Sequence, residues 1–274
     1  MNKFRIAVVQ FKINQYNPDK NLEKMEYFLK LASGKADIIV FPENFLTGGL
    51  SDKEILVDCK KFYSNKFQNL AKLYKIDIVP GSIVEGNKKG KFNTSYYIRS
   101  DGRILAKYNK VNLWLTEKKY LASGNEICVF NTKFGKFGIL ICWDLMFPEI
   151  FRRLIKKGVK LVFCPSLWYK GSDFYPYKIN NPNAELDHVN ALCQARAIEN
   201  NIFLVFSNSV GRLKTSKNKF DEAIGQSQIC APIKGVIKKL ALEEEMFIEE
   251  IDLDLLKSAE KAYQIRKNIN NTIL

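Results

Sequence analysis

The sequence predicts an α/β protein in which helices pack against mixed β-sheets within one layered domain. Short apolar runs that are typical of strands alternate along the chain with longer runs that have the period of a helix. No linker-like or low-complexity stretch divides the 274 residues. We therefore expect a single domain that extends over residues 1–274.

The strands are predicted where apolar and β-branched residues form short runs that are bounded by turn residues. In chain order they are residues 6–11, 38–41, 76–83, 94–99, 104–108, 127–131, 137–141, 161–164, 202–207, 225–231, 236–240 and 246–251. The segment from Arg212 to Lys219 is the densest basic patch, and we predict that it is an exposed loop between two strands.

The helices are predicted where apolar residues recur at helical spacing, at residues 21–32, 53–74, 148–157, 184–200 and 254–265. Asn17 and Pro18 mark the entry to the first of them. Pro148 suits the first turn of the third helix, and Glu149 suits its positive end.

The composition argues against several classes of protein. The net charge of +14 comes from lysines spread over the whole chain without a nucleic-acid-binding motif, so we expect a solvated surface and no specific nucleic-acid partner. No apolar run is long enough to span a membrane, and the N-terminal run lacks a signal-peptide cleavage site. The six cysteines are scattered, and His188 is the only histidine, so we expect reduced thiols in a cytoplasmic protein and no metal site.

Cys142 is the most informative residue of the sequence. A buried-type strand precedes it and a helix start follows it, so its thiol is expected on a sharp turn between the two. Such a turn exposes the side chain and points free backbone N–H groups at whatever the sulfur attacks. The alternative is a buried structural cysteine, since free cysteine is among the most buried residue types.

A thiol needs a base or a positive field to act as a nucleophile near neutral pH. Glu43 follows the strand 38–41, where ligands collect in open α/β sheets, and its apolar neighbours would raise its pKa towards that of a useful base. Lys110 follows the strand 104–108 and would favour the thiolate and a developing oxyanion. We expect His188, near a helix start, to be a polar surface residue.

Three segments carry a resemblance to the nitrilase superfamily of carbon–nitrogen hydrolases. Residues 41–44 resemble the glutamate motif of that family, residues 110–113 its lysine motif and residues 142–149 its nucleophile motif. The resemblance continues through residues 164–166, 195–200 and 250–254, so it covers nearly the whole chain.

The resemblance implies a fold and a mechanism. The fold is a four-layer α-β-β-α sandwich of the nitrilase type, and the catalytic residues are Glu43, Lys110, Cys142 and, as a second glutamate, Glu117. Cys142 would form a thioester with the acyl group of a small amide and release ammonia, while the backbone N–H of Trp143 helps Lys110 to hold the oxyanion. No metal or organic cofactor is implied.

The substrate class stays open between several possibilities. Trp143-Asp144 after the nucleophile favours an amidase, ω-amidase-like or aliphatic, or a carbamoylase over a true nitrilase. An N-carbamoyl amidohydrolase and a nitrilase remain alternatives with the same three residues. A protein of another class, which keeps the fold only to bind, is disfavoured by the intact Glu43, Lys110 and Cys142.

Variable loops are expected to form the pocket walls, at residues 48–52, 114–121 and 168–182. Aromatic side chains could line this pocket, and Trp168 is the one we expect to contact substrate; the others are Tyr169, Phe174, Tyr175 and Tyr177. Arg212 could bind a substrate carboxylate, whereas Glu185 or Asp187 could bind an amine.

The resemblance also implies a homodimer or a larger homo-oligomer. The helix 184–200 carries Leu186, Val189, Leu192 and Ile198 beside polar residues, a pattern that equally fits ordinary core packing. Arg196 and Glu199 are three apart on it and could pair locally or brace an interface.

Overall fold

The computed structural model describes residues 2–49, 56–171, 180–216 and 219–271. Its strands, numbered in chain order, are β1 (Lys3–Lys12), β2 (Ile38–Val40), β3 (Asp77–Val79), β4 (Ser82–Asn87), β5 (Gly90–Ile98), β6 (Ile104–Asn109), β7 (Cys128–Thr132), β8 (Gly135–Ile139), β9 (Leu161–Pro165), β10 (Phe203–Ser207), β11 (Ser209–Ser216), β12 (Lys219–Ile224), β13 (Gln228–Ala231), β14 (Gly235–Lys239) and β15 (Glu245–Asp252).

These strands form two mixed sheets. The first follows the order β12-β11-β1-β2-β3-β5-β4, with β15 also paired to β1 and β6 also paired to β5. The second follows the order β14-β13-β10-β9-β8-β7. The strands β1, β2 and β3 run parallel in the first sheet, and β8, β9 and β10 run parallel in the second.

The helices are α1 (Pro18–Ala32), α2 (Phe62–Tyr74), α3 (Pro148–Lys156), α4 (Ala184–Asn200), α5 (Asp254–Tyr263) and α6 (Ile265–Asn271). Two 3-10 turns cover Glu117–Lys119 and Cys142–Met146. Asn17 caps α1 by accepting a hydrogen bond from the backbone of Lys20, as expected for an asparagine before a helix. Pro148 begins α3, as predicted.

The two sheets face each other, and helices cover their outer surfaces. Ile6 and Val8 of β1 point to one core that the second sheet shares, whereas Ala7 and Val9 point to another core that α1 and α2 cover. Helices α3 and α4 pack on the far side of the second sheet. The predicted α-β-β-α sandwich is therefore confirmed.

Two predicted elements are wrong. The segment from Arg212 to Lys219 is not a loop, because its described residues belong to the antiparallel hairpin of β11 and β12. Helix α2 begins at Phe62 and not at residue 53; before it, Asp58 accepts hydrogen bonds from the backbone of Phe62 and Tyr63 and so caps the helix. Residues 53–55 of the predicted helix lie outside the described part of the chain.

The predicted strand 76–83 is two strands. It divides into β3 and β4, with Gly81 between them at a φ of +64°. A side chain at Gly81 would bring its Cβ to 1.8 Å from the carbonyl oxygen of Pro42, so only glycine lets the two segments approach. This contact sets the position of the chain directly before Glu43.

Among the described residues, no helix is long and apolar enough to cross a membrane.

Candidate active site

Glu43 lies in a turn just beyond the carboxyl end of β2. Its side chain is 3% exposed, although a carboxylate normally stays in water. Its Oε2 accepts a hydrogen bond from the backbone N–H of Leu167 at 2.9 Å, and a further hydrogen bond links the carboxylate to the thiol of Cys142. The buried carboxylate is thus aimed at the sulfur.

Lys110 follows β6 directly and is the most deeply buried cation described, at 1% exposure. Its Nζ donates to Oε1 of Glu43 at 2.8 Å and to Oε2 of Glu117 at 2.7 Å. Gly124 lies against this segment, since its N–H donates to the carbonyl of Lys110 at 2.8 Å. One ammonium group therefore joins two buried carboxylates.

Cys142 begins the 3-10 turn that follows β8, and its φ is +47°. Left-handed backbone is uncommon for residues other than glycine and is found at functional sites, where the surrounding structure holds it in place. Strand, 3-10 turn and helix α3 follow one another, so Cys142 lies on the sharp turn that the sequence predicts. The predicted exposure of its side chain is wrong, because Cys142 is buried. The backbone N–H groups at the start of this 3-10 turn, including that of Trp143, have no acceptor within the helix because they lie in its first turn.

The charges of this cluster are tied to one another. Burial raises the pKa of Glu43 above its ordinary value; the charge of Lys110 opposes that rise, and Glu117 adds to it. Burial, followed by the charge of Glu43, raises the pKa of the Cys142 thiol well above its usual range. Burial alone would favour a neutral Lys110, but Glu117 and Glu43 outweigh it and raise its pKa well above the ordinary value. These shifts favour the protonated forms of the Cys142 thiol and of Lys110, while the charge of Lys110 opposes protonation of Glu43.

Asp144 connects the nucleophile turn to the lysine segment. It is fully buried, and its Oδ2 accepts from the hydroxyl of Tyr108 at 2.7 Å and from the backbone of Ile141 at 3.0 Å. Its Oδ1 accepts from the backbone of Asn112 at 2.8 Å. Burial raises the pKa of Asp144, while these hydrogen bonds oppose that rise. This carboxylate fixes where Cys142 stands relative to Lys110.

Asn93 is a site residue that the sequence does not single out. It lies on β5 with a fully buried side chain, and its Nδ2 donates to Oε1 of Glu43 at 2.7 Å and to Oε1 of Glu117 at 3.0 Å. The available signal was the run of three polar residues that opens with Asn93 inside an otherwise apolar strand. The described site thus contains Glu43, Asn93, Lys110, Glu117 and Cys142 in one buried cluster.

The three tryptophans of the chain lie in a row with Trp143, the residue after Cys142, in its middle. The ring of Trp143 is 4.2 Å from that of Trp114 and 5.6 Å from that of Trp168, measured between centroids. The indole Nε1 of Trp168 donates to Oε2 of the buried Glu185 at 2.5 Å. Trp143 and Trp168, both predicted at the substrate pocket, are therefore neighbours, and Glu185 holds the second of them.

Other predicted substrate-binding residues are not brought to the cluster. Arg212 lies on the exposed face of β11, with its guanidinium 4.9 Å from the ring centroid of Phe220. Asp187 is exposed on α4 and accepts from Nδ2 of Asn181. His188 is exposed on the same helix, as expected.

Tyr169 lies within electrostatic range of the site. Burial raises the pKa of its phenol far above the ordinary value, and the charge of Glu43 adds to the rise. The predicted pocket residues Phe174, Tyr175 and Tyr177, and residues 50–52 of another predicted loop, lie outside the described part of the chain.

We expect Lys110→Met to lower the free energy of unfolding by about 3–5 kcal/mol, because it leaves two buried carboxylates without their shared cation. Denaturant unfolding measures this loss, and a second change, Glu117→Gln, is expected to restore part of it. Lys3→Met is the matched control, since Lys3 also lies between two carboxylates, those of Glu250 and Asp252, but all three side chains are exposed. Equal losses in both lysine variants would contradict the importance of burial at Lys110.

The geometry has the parts that nucleophilic attack on a carbonyl carbon requires. A thiol touches a buried carboxylate that can accept its proton, and a fixed ammonium ion lies beside them to balance negative charge. Within the described ranges, no group of three or more His, Cys, Asp or Glu side chains is arranged to hold a metal ion.

Comparison with known proteins places this geometry in a family. A family model described as carbon-nitrogen hydrolase matches residues 5–261. The 2-oxoglutaramate amidase of Bacillus subtilis is 32% identical over 255 residues, which cover 92% of each protein. The omega-amidase NIT3 of Saccharomyces cerevisiae is 27% identical over 97% of this chain and 92% of its own length.

A solved structure gives the same result for the whole fold. The crystal structure of Nit3 from Saccharomyces cerevisiae, described as a member of branch 10 of the nitrilase superfamily, superposes with a TM-score of 0.81 at 27% identity, over 96% of this chain and 94% of that one. The predicted superfamily and the predicted class of enzyme, a hydrolase of non-peptide carbon–nitrogen bonds, are confirmed. The chain belongs to the carbon–nitrogen hydrolase family of the nitrilase superfamily.

Proposed function

We propose that this enzyme hydrolyses the terminal amide of a small carboxylic acid, as an ω-amidase does, through a thioester on Cys142. The observation that carries the proposal is the buried contact of Glu43 with both Lys110 and the Cys142 thiol. The similarity over nearly the full length to a 2-oxoglutaramate amidase and to an omega-amidase supports this choice of substrate.

In the first half-reaction, Cys142 is the nucleophile and Glu43 is the general base. The carboxylate of Glu43 takes the thiol proton while the sulfur forms a bond to the amide carbon, and the π electrons move to the carbonyl oxygen. Lys110 and the backbone N–H of Trp143 stabilise that oxyanion; the loss of one such donor typically costs about 10²–10³ in rate. The C–N bond then breaks, Glu43 gives its proton to the nitrogen, and ammonia leaves.

In the second half-reaction, water replaces ammonia at the same base. Glu43 removes a proton from water as the oxygen attacks the thioester carbon. When the C–S bond breaks, the proton returns to the sulfur and the free acid departs. Each half-reaction begins and ends with an ionised Glu43, so this residue moves a proton four times in one turnover.

Glu117 keeps Lys110 in place during both half-reactions. Its Oε2 accepts from Nζ of Lys110 at 2.7 Å and from the backbone of Trp114 at 2.7 Å. Lys110 therefore keeps one anionic partner when Glu43 is neutral, and the ammonium group stays charged and oriented. Glu117 acts as a positioning residue for the lysine.

The substrate assignment is tested by ammonia release from a panel of compounds at equal concentration. The panel contains 2-oxoglutaramate, glutaramate, propionamide, an N-carbamoyl amino acid and propionitrile. The proposal expects the highest kcat/KM for the two acids that carry a terminal amide. Faster release from the carbamoyl compound or from the nitrile would replace it by one of the alternatives, and release from none of the five would favour a protein that only binds.

The thioester is tested by mass spectrometry of the intact protein, quenched in acid during turnover of the most active substrate. We expect the mass of one chain plus one acyl group, which peptide mapping places on Cys142. An acyl group on another side chain would contradict the proposed nucleophile.

We also propose that the enzyme is a cytoplasmic homodimer. The six free cysteines suit a reducing compartment. On α4, Val189 packs into the core and Arg196 pairs locally with Glu199 at 2.8 Å, whereas Ile198 is 45% exposed and available to a second copy.

Sedimentation is expected to give twice the 31.6 kDa of one chain, and Ile198→Lys is expected to shift the equilibrium towards the monomer. The control is Leu73→Lys, because Leu73 is also exposed but lies on α2. A species of one chain mass in the unmodified protein would refute the dimer.

A further inference from the structure

Asn93 lies between the two carboxylates of the site. Its side-chain amide uses both hydrogens on them, with distances of 2.7 Å to Glu43 and 3.0 Å to Glu117. Its backbone carbonyl accepts from the N–H of Lys110 at 2.8 Å. A single residue of β5 therefore contacts the base, the second carboxylate and the lysine segment.

The other end of the same amide is unsatisfied. Oδ1 of Asn93 is buried, and none of the residues that the structure describes donates to it. A buried acceptor without a partner costs folding free energy, and an apolar side chain of the same size would avoid that cost. Packing does not explain an asparagine at this position, so its contacts with the carboxylates do.

We propose that Asn93 is a positioning residue of the reaction, which holds the carboxylate of Glu43 in place for proton transfer with the thiol and supports negative charge on Glu43 and Glu117 at once. This inference rests on the proposed role of Glu43 as the base. Lys110 also donates to Oε1 of Glu43, so two fixed donors hold that oxygen, while the backbone N–H of Leu167 holds Oε2.

The inference has a consequence for the pH dependence. Burial already raises the pKa of Glu43, and Asn93 donates a hydrogen bond that favours the ionised form. Without that donor, the pKa of Glu43 rises further, and activity is lost at a higher pH as the solution is acidified. The other titratable groups within range of Glu43 stay in place in such a variant; they are Lys110, Glu117, Cys142, Cys164 and Tyr169.

The test uses Asn93→Leu, which keeps the number and branching of the side-chain heavy atoms and removes the donor, and Asn93→Ala in case the bulkier leucine does not fit. We expect kcat to fall about 10- to 100-fold, the effect of losing a hydrogen bond to a charged group. We also expect the acid limb of kcat/KM to move to higher pH. A purely structural role would lower activity at every pH and leave the limb in place.

Asn201 offers a matched control. It is also buried, its Nδ2 also donates to a carboxylate, that of Glu260 at 3.0 Å, and its Oδ1 also lacks a described donor. Asn93→Asp and Asn201→Asp therefore make the same chemical change next to a carboxylate, at the site and away from it. Only Asn93→Asp is expected to lower kcat and to move the acid limb, even when both variants lose similar stability.

A second readout separates this inference from the proposed substrate. The rate at which iodoacetamide alkylates Cys142, followed by mass spectrometry as a function of pH, depends on Glu43 but not on the natural substrate. We expect Asn93→Leu to shift this profile upwards in pH, even if the unmodified protein releases no ammonia from any compound in the panel. Two results would overturn the role of Asn93. In one, the alkylation profile does not shift and kcat is unchanged; in the other, the profile does not shift and kcat falls equally at every pH.

Discussion

Replacing Cys142 with alanine is expected to abolish amide hydrolysis while the protein stays folded. The thiol is the only group in the cluster that can form the acyl intermediate efficiently, and removing a nucleophile that acts together with its base typically costs about 10⁴-fold or more. Serine at this position is expected to be equally inactive, because the buried Glu43 is matched to a thiol and not to the far less acidic hydroxyl.

The experiment is ammonia release under saturating substrate, with thermal unfolding of each variant as the check on folding. We expect a small gain or loss of thermal stability in each variant, because the strain of the left-handed backbone at residue 142 depends on the side chain. Cys59→Ala is the control for general thiol loss, because Cys59 is the exposed free cysteine. Hydrolysis at the original rate in either Cys142 variant would contradict the proposed mechanism.

Replacing Glu43 with glutamine is expected to lower kcat by about 10²–10⁴-fold, the usual contribution of a general acid–base residue. The substitution keeps the shape but removes the base from both half-reactions. It also creates a local conflict, because Oε1 accepts from Lys110 and Asn93, and Oε2 accepts from Leu167. Whichever way the amide turns, its NH₂ group faces another donor, so we expect a loss of stability beside the loss of rate.

The pH profile of the unmodified enzyme belongs to the same prediction. Because burial holds the pKa of Glu43 above the ordinary carboxyl value of 4.5, kcat/KM is expected to fall on acidification at a pH above that value. The exposed His188 takes no part, so His188→Ala is expected to keep both the rate and the profile. A large loss in His188→Ala together with full activity in Glu43→Gln would indicate a cysteine–histidine hydrolase instead.

The candidate site was predictable because each of its main residues directly follows a recognisable strand. Glu43, Lys110 and Cys142 come just after β2, β6 and β8, where the ends of strands from two facing sheets meet. Asn93 and Asp144 were not predicted as site residues, because their role depends on partners 50 and 36 residues away in the sequence. A local pattern does not reveal such contacts.

The wrong elements have physical reasons as well. The hairpin of β11 and β12 lies at the edge of its sheet, where charged side chains face solvent and protect the edge from pairing with another chain. These charged side chains, which are lysines and one arginine, give the segment from Arg212 to Lys219 the composition of a loop. The predicted start of α2 is too early because the apolar residues 55–57, directly before Asp58, still fit the helical period, so the capping carboxylate does not stand out in the sequence.

The row of tryptophans gives the enzyme a native optical reporter. Since the chain has three tryptophans and all of them are in mutual contact through Trp143, next to the nucleophile, every indole that emits does so from the active-site region. Intrinsic fluorescence of this protein is thus a local signal and not an average over the molecule. Ligand binding, acylation of Cys142 and local opening of the site can be followed on the unmodified enzyme, without a label and without a chromogenic substrate.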